Sequence, residues 1–209
     1  KTCGDGLLPD AHQALERMGV LDEVLALAKP VSDLRCFGPS GCHVDVPGSL
    51  AVLPRRQLDH LLVRAAQRAG ADLHTPWRLE SLLRDERAQV VGARLKCRAP
   101  RGLASAHGVQ EVQEVHARHV VLATGASAQA LLASGMCERT SPSAMGLRGY
   151  VKNLAMVDRL CHMEVAWHSK LKPGYGWIFP CPDGVFNIGV GIIDSHRPHD
   201  HTMREINLR

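Results

Sequence analysis

Between residues 9 and 28 the apolar side chains fall at Ala11, Leu15, Met18, Leu21, Val24, Leu25 and Ala28. This is the three-to-four spacing of an amphipathic helix, and Gly19 interrupts it, so the pattern predicts two helices in succession. The same spacing returns over residues 55–69 through Leu58, Leu61, Leu62, Ala65 and Ala69, and it stops at Gly70 as a helix ending on a C-terminal glycine would. Between these segments, over residues 31–52, glycine, proline and cysteine become frequent and the periodicity weakens. A loop-rich strand region is expected there, with short extended pieces at 34–37 and 43–46.

Beyond Gly70 the pattern changes to strands. Residues 71–74, 78–83 and 89–97 read as extended, with a charged turn at Asp85-Glu86-Arg87, while 98–115 is polar and reads as a hairpin tip or long loop. Residues 119–125, His-Val-Val-Leu-Ala-Thr-Gly, form an unbroken apolar run ending on glycine. Such a run predicts a buried parallel strand, and the helical segment 127–134 would complete a strand-turn-helix unit. Residues 163–167, 175–179 and 185–192 read as strands joined by turns at Pro173-Gly174 and Asp183-Gly184. The order therefore predicts an α/β (α+β) fold, with α/β pieces first and an antiparallel meander last.

Composition adds exclusions. The chain has 209 residues, of which 45% are hydrophobic and 22% charged, as in an ordinary globular protein. Its 25 basic and 21 acidic residues leave a net charge of +4, too mild and too mixed for a nucleic-acid footprint. No stretch approaches the ~20 apolar residues of a membrane span, and no signal-peptide layout opens the chain. A soluble, cytoplasmic protein is expected. The seven cysteines are scattered without a C-x-x-C pair, which suggests free thiols and no metal site. His196, His199 and His201 lie in a tail without carboxylates or cysteines at ligand spacing, and no Ser-His-Asp or paired-carboxylate arrangement stands out. The start at Lys1 reads as a truncation.

Four segments carry a resemblance that covers most of the chain. They are Cys3-Gly4-Asp5-Gly6-Leu7 followed by Pro9; Arg55-Arg56-Gln57-Leu58-Asp59; Ala123-Thr124-Gly125-Ala126; and Tyr175-Gly176-Trp177-Ile178-Phe179-Pro180 with Gly189-Val190-Gly191 eight residues on. The last is the most specific, with three aromatics, a proline and two glycines at fixed spacing. Together they resemble the geranylgeranyl reductase family, FAD-dependent oxidoreductases of the p-hydroxybenzoate-hydroxylase-like flavoprotein fold. The resemblance implies a partial FAD-binding Rossmann-like domain over residues 1–149, the start of an antiparallel substrate-binding sheet over 150–195, and a ragged tail over 196–209. The family's opening G-x-G-x-x-G unit and its later G-D motif have no counterpart here, so this chain by itself is expected to bind flavin weakly or not at all and to be inactive.

The resemblance also implies roles. Cys3 would face the flavin as the catalytic residue. Cys3, Gly4, Gly6, Arg55, Leu79, Ala123, Thr124 and Gly125 would contact FAD. Tyr175, Trp177, Phe179, Pro180, Gly189 and Gly191 would line the substrate cavity. Each has a plainer explanation beside it: Asp5 as a local helix cap, Arg55 as a solvated arginine, Leu79 as a strand leucine and the aromatics as sheet core. Arg56 reads as a surface residue. Glycines suit a backbone running close to a planar ligand, arginine suits a phosphate, and three aromatics on one strand face suit an apolar cavity. The implied reaction is hydrogenation of isolated C=C bonds in a prenyl lipid, with NADPH or a ferredoxin-like protein as electron donor. Peripheral contact with a membrane is compatible with such a substrate, although no amphipathic anchor helix is evident, and the oligomeric state is left open. A flavin monooxygenase or halogenase of the same fold, or an inactive truncated gene product, are the alternatives.

Overall fold

The computed structural model describes residues 4–97, 111–125, 127–138 and 144–193. The chain forms two compact units, one of Lys1–Ala71 with Ser143–Arg209 and the other of Asp72–Pro142. These boundaries differ from the expected division at 149/150. Strands early in the chain enter the same sheet as the late meander, so the antiparallel sheet does not begin near residue 150.

The first unit opens with a short strand β1 (Gly6–Leu7) and two helices, α1 (Pro9–Arg17) and α2 (Leu21–Leu25). Pro9 stands at the first helical position, where its missing N–H costs nothing, and Asp10 complements the positive end of the helix. At the other end Gly19 adopts φ +67°, its N–H bonds Glu16 O and that of Val20 bonds Leu15 O, which satisfies the last carbonyls. The pair of helices broken at Gly19 is thus present. β2 (Lys29–Phe37) and β3 (His43–Val52) follow as a long antiparallel hairpin, more extensive than the short pieces expected from sequence. α3 (Arg55–Arg68) matches the expected helix and closes at Gly70, which has φ +95°.

The second unit holds β4 (Trp77–Arg84), β5 (Val90–Cys97) and β6 (Val112–His116) as a three-stranded antiparallel sheet, with the short helix α4 (Gln129–Ala133) against β4. Residues 71–74 are not a strand, and part of the stretch expected as loop is β6. The expected buried strand at 119–125 is also absent. A parallel strand is held by neighbours on its ladder, and among the described residues no strand pairs with this run. Val121 is 85% exposed, while Val120 and Leu122 turn inward.

Back in the first unit, β7 (Ala144–Lys152), β8 (Met163–Ala166), β9 (Gly174–Pro180) and β10 (Val185–Ile193) complete a seven-stranded mixed sheet of order β1-β3-β2-β8-β9-β10-β7. β2 and β8 run parallel, and every other neighbouring pair is antiparallel. β7 was not anticipated, because Ala144-Met145-Gly146-Leu147-Arg148-Gly149 mixes small, charged and apolar residues without alternation. The β9–β10 turn at Asp183 and Gly184 is as expected, with φ of 60° and 69°.

Two cores meet at the end of β3. Leu7, Leu15, Val24, Ala51, Leu53 and Leu58 pack the helices onto one face, and Val31, Leu50, Val52, Met163 and Cys181 pack the other. Residues 50–53, all apolar, are therefore buried on both sides. Leu53→Ala is expected to cost about 2–5 kcal/mol in urea denaturation. Val121→Ala in the exposed run should stay within about 0.5 kcal/mol, and a larger loss there would show that 119–125 packs as a strand after all.

Candidate functional site

The site in the first unit is built around Asp5, whose side chain is fully buried. One carboxylate oxygen, Oδ1, accepts the backbone N–H of Arg55 at 3.1 Å. The other, Oδ2, accepts the Tyr150 hydroxyl at 2.7 Å and the Asn187 amide Nδ2 at 2.7 Å, with the Arg148 guanidinium 3.7 Å away. The backbone carbonyl of Asp5 accepts from Leu53 N at 3.0 Å. Asp5 is a helix cap, but of α3, fifty positions ahead, and not of the helix that follows it locally. Pro54, at the cap position of α3, has no side chain that could do this. Sequence reasoning named Asp5 only as that local cap; the signal was a lone acidic residue between two glycines.

Pairing across the sheet places three rows on one face. Tyr175, Trp177 and Phe179 of β9 stand opposite Gly191, Gly189 and Asn187 of β10, which stand opposite Gly146, Arg148 and Tyr150 of β7. The aromatics meet as expected from their alternation. Tyr175 and Trp177 have ring centroids 5.9 Å apart, Trp177 and Phe179 6.4 Å, and Trp167 extends the row at 6.2 Å from Tyr175. The row runs from Phe179, packed on the core, to Trp167 and Tyr175, 45% and 36% exposed. Trp167 is a member that the motif did not mark.

Gly189 has a definite reason to be glycine. A Cβ built there would collide with the indole of Trp177 at Cζ2 and with Leu147 O, whereas at Gly191 the nearest atoms are an ordinary 3.8–4.0 Å away. The indole lies across Gly189 and donates from Nε1 to Asn187 Oδ1 at 3.0 Å. Pro180 ends β9, buried, opposite Phe186. On the opposite face the β2, β3 and β8 portion of the sheet is charged: Arg35 makes a two-pronged contact with Asp45 at 2.7 and 2.9 Å, and His162 contacts Glu164 at 2.9 Å. The hydrogen bond from Arg35 holds the Asp45 carboxyl below its usual range.

The remaining expected residues divide between the units. Cys3 lies outside the described residues, as do Ala126 and the histidines of the tail. Gly4 is exposed, and a Cβ there would come no closer than 3.9 Å to the protein, at Phe179, so internal packing does not require a glycine there. Gly6 has a packing role, since a Cβ would sit 3.0 Å from Met163 Sδ. Arg55 holds Asp59 one turn on, at 3.0 Å through Nε, with its side chain 18% exposed. Arg56 is exposed.

In the second unit Leu79 pairs with Leu95 and lines a cleft of about 300 Å³ with Lys96 and Gln129. Thr124 Oγ1 donates to Ser127 O at 2.9 Å, Ala123 is exposed, and Gly125 has φ +60°. A second cleft of about 420 Å³ lies beside them, lined by Leu82, Val90, Val120, Leu122, Leu131 and Met136. Among the described residues no group of three metal-ligating side chains converges, and no helix is long and apolar enough to cross a membrane.

This combination of helices and a mixed sheet is the α/β architecture of flavoprotein oxidoreductases. A geranylgeranyl bacteriochlorophyll reductase-like protein from Thermoplasma acidophilum superposes with a TM-score of 0.74 at 19% identity, over 97% of this chain and 49% of that one. A flavin-dependent brominase gives 0.67 at 19% identity, over 93% and 47%. Residues 8–160 match the FAD binding domain family, and the chain belongs to it. It is 29% identical over 210 residues to digeranylgeranylglycerophospholipid reductase 2 of Methanopyrus kandleri, covering 99% of this chain and 49% of that protein. It is 30% identical over 217 residues to the menaquinone reductase of Mycobacterium tuberculosis, covering 99% and 50%. The chain thus spans about half the length of the curated relatives it matches.

Two outcomes follow. Gly189→Ala forces the indole aside and should cost about 1–3 kcal/mol with a red-shifted tryptophan emission, while Gly191→Ala should leave both nearly unchanged. Burial, with Asp5 adding to it, pushes the Cys181 thiol up to about 12. Cys181 then stays protonated at pH 8 and should resist iodoacetamide while exposed Cys42 is alkylated, as read by peptide mass spectrometry.

Proposed function

We propose that this chain serves an FAD-dependent oxidoreductase that hydrogenates isolated C=C bonds in the prenyl chain of a lipid. The observation that carries the reading is the partly exposed row Trp167, Tyr175, Trp177 and Phe179 above the glycines of β10. An alkene offers almost no polar handle, so binding must come from buried hydrocarbon area, at about 25 cal/mol per Å². A row of partly exposed aromatic rings supplies such area. The relatives support the same substrate class, since two of them are named for a digeranylgeranylglycerophospholipid and for menaquinone.

The residues present fit a flavin. Gly4 leaves its face open and Arg55 carries a planar cation at the first turn of α3. In the first unit Gly4 and Gly6 would pass the ring system and Arg55 would bind a phosphate or ribose oxygen. When bound, reduced flavin supplies hydride to one alkene carbon while a proton goes to the other. The protein's own residues hold the chain and exclude water: Trp177, kept across Gly189, and Tyr175 grip the hydrocarbon. NADPH or a ferredoxin-like protein would supply the electrons, and an apolar substrate suits peripheral contact with a membrane.

The test compares this chain with a version extended at both ends into the neighbouring gene sequence, each purified with excess FAD and desalted. Flavin bands are expected in the extended form, with Arg55→Ala weakening retention about tenfold. The photoreduced extended form should add one H2 per double bond to a geranylgeranyl lipid, read by mass spectrometry. Flavin in neither form would overturn the cofactor assignment. Flavin with oxygenation or halogenation, and no alkene reduction, would overturn the reaction.

A further inference from the structure

We infer that Asp5 is a positioning residue for Trp177, acting through Asn187, so that one buried carboxylate sets both the start of α3 and the orientation of the aromatic row. The functional meaning of this link rests on the reading that the row receives the substrate. The link itself is a matter of hydrogen-bond sense.

Indole Nε1 can only donate and a carboxylate can only accept. Asn187 stands between them, fully buried, with its amide nitrogen 2.7 Å from Asp5 Oδ2 and its amide oxygen 3.0 Å from Trp177 Nε1. The reversed amide would set oxygen against oxygen at Asp5 and N–H against N–H at the indole. Asp5 therefore locks the amide, and the amide locks the indole. The in-register partner of Trp177 is Gly189, and Asn187 is opposite Phe179, so the indole reaches its acceptor along the diagonal. That diagonal lays the ring over Gly189, where no side chain could share the space. The other oxygen of Asp5 is committed to the N–H of Arg55, the first residue of α3. A shift of the 4–6 segment or of the helix start is thus transmitted to Trp177.

The experiment is indole hydrogen exchange by NMR in the chain with Trp77→Phe and Trp167→Phe, which leaves Trp177 as the single tryptophan. In Asp5→Asn the new amide cannot accept from both Asn187 and Arg55. The Trp177 Nε1–H should then exchange roughly five- to tenfold faster, the equilibrium factor that accompanies loss of one such bond. Asn187→Leu should give the same gain. The exchanged pair Asp5→Asn with Asn187→Asp restores the chain of donors and acceptors. The amide now at position 5 donates to the carboxylate now at position 187 and, through its second N–H, to the Tyr150 oxygen, and still accepts from the Arg55 N–H, while that carboxylate accepts from the indole. The pair should return the rate to that of the parent. A merely structural loss would instead speed the core amides of β3 by the same factor and would not be rescued by the exchange.

Unchanged indole exchange in both single variants overturns the inference, as does acceleration matched by the core amides. If Asn187→Leu does not fold, Asp5→Asn and the exchanged pair decide the matter. Geranylgeraniol added to the parent separates the two readings. A protected indole whose resonance ignores geranylgeraniol contradicts the substrate reading alone, and an indole that responds to it without depending on Asp5 contradicts the positioning role alone.

Discussion

A buried carboxylate that accepts from three elements holds this sheet and its helices in one arrangement. Taking an ionised group out of water costs several kcal/mol unless donors replace the lost solvent. Around Asp5 they do: the backbone of α3, the hydroxyl of Tyr150 and the amide of Asn187 converge on its two oxygens, with Arg148 near by. Arg148 in turn lies over the Tyr150 ring, 4.8 Å from its centroid. Burial, reinforced by the bond to Asp5, raises the Tyr150 hydroxyl above its ordinary range, so it stays a donor at neutral pH. Each bond joins residues distant in sequence, so the full set forms only when β1, α3, β7 and β10 are all in place.

From that constraint the two faces of the sheet acquire their characters. On the face that Asp5 reaches, the polar groups of Tyr150 and Asn187 are consumed internally beside the aromatic row. On the other, Arg35, Asp45, His162 and Glu164 pair with one another. Under the proposed function a hydrocarbon would bind along the aromatic row of the first. Membership of the FAD binding domain family agrees with a flavin as cofactor.

Much of this was legible in the chain itself. The helices announced themselves by spacing and by Gly19 and Gly70, and the β9–β10 motif by its rare aromatics. Properties that depend on partners remote in sequence were not legible. β7 is a strand because β10 pairs along its whole length, not because its own residues alternate. Residues 119–125 have the composition of a buried strand, but composition cannot supply a neighbour. Asp5 looked like a turn residue because its donors lie up to 182 positions away. The division of the chain followed from strand order, which periodicity does not encode.

The most direct measurement is a crystal structure of the extended chain with FAD and a geranylgeranyl lipid. The account predicts prenyl carbons in van der Waals contact, about 3.5–4.0 Å, with the rings of Tyr175 and Trp177, the indole still lying across Gly189. A chain bound against the Arg35 and Glu164 face, or a flavin seated away from Gly4 and Arg55, would contradict it.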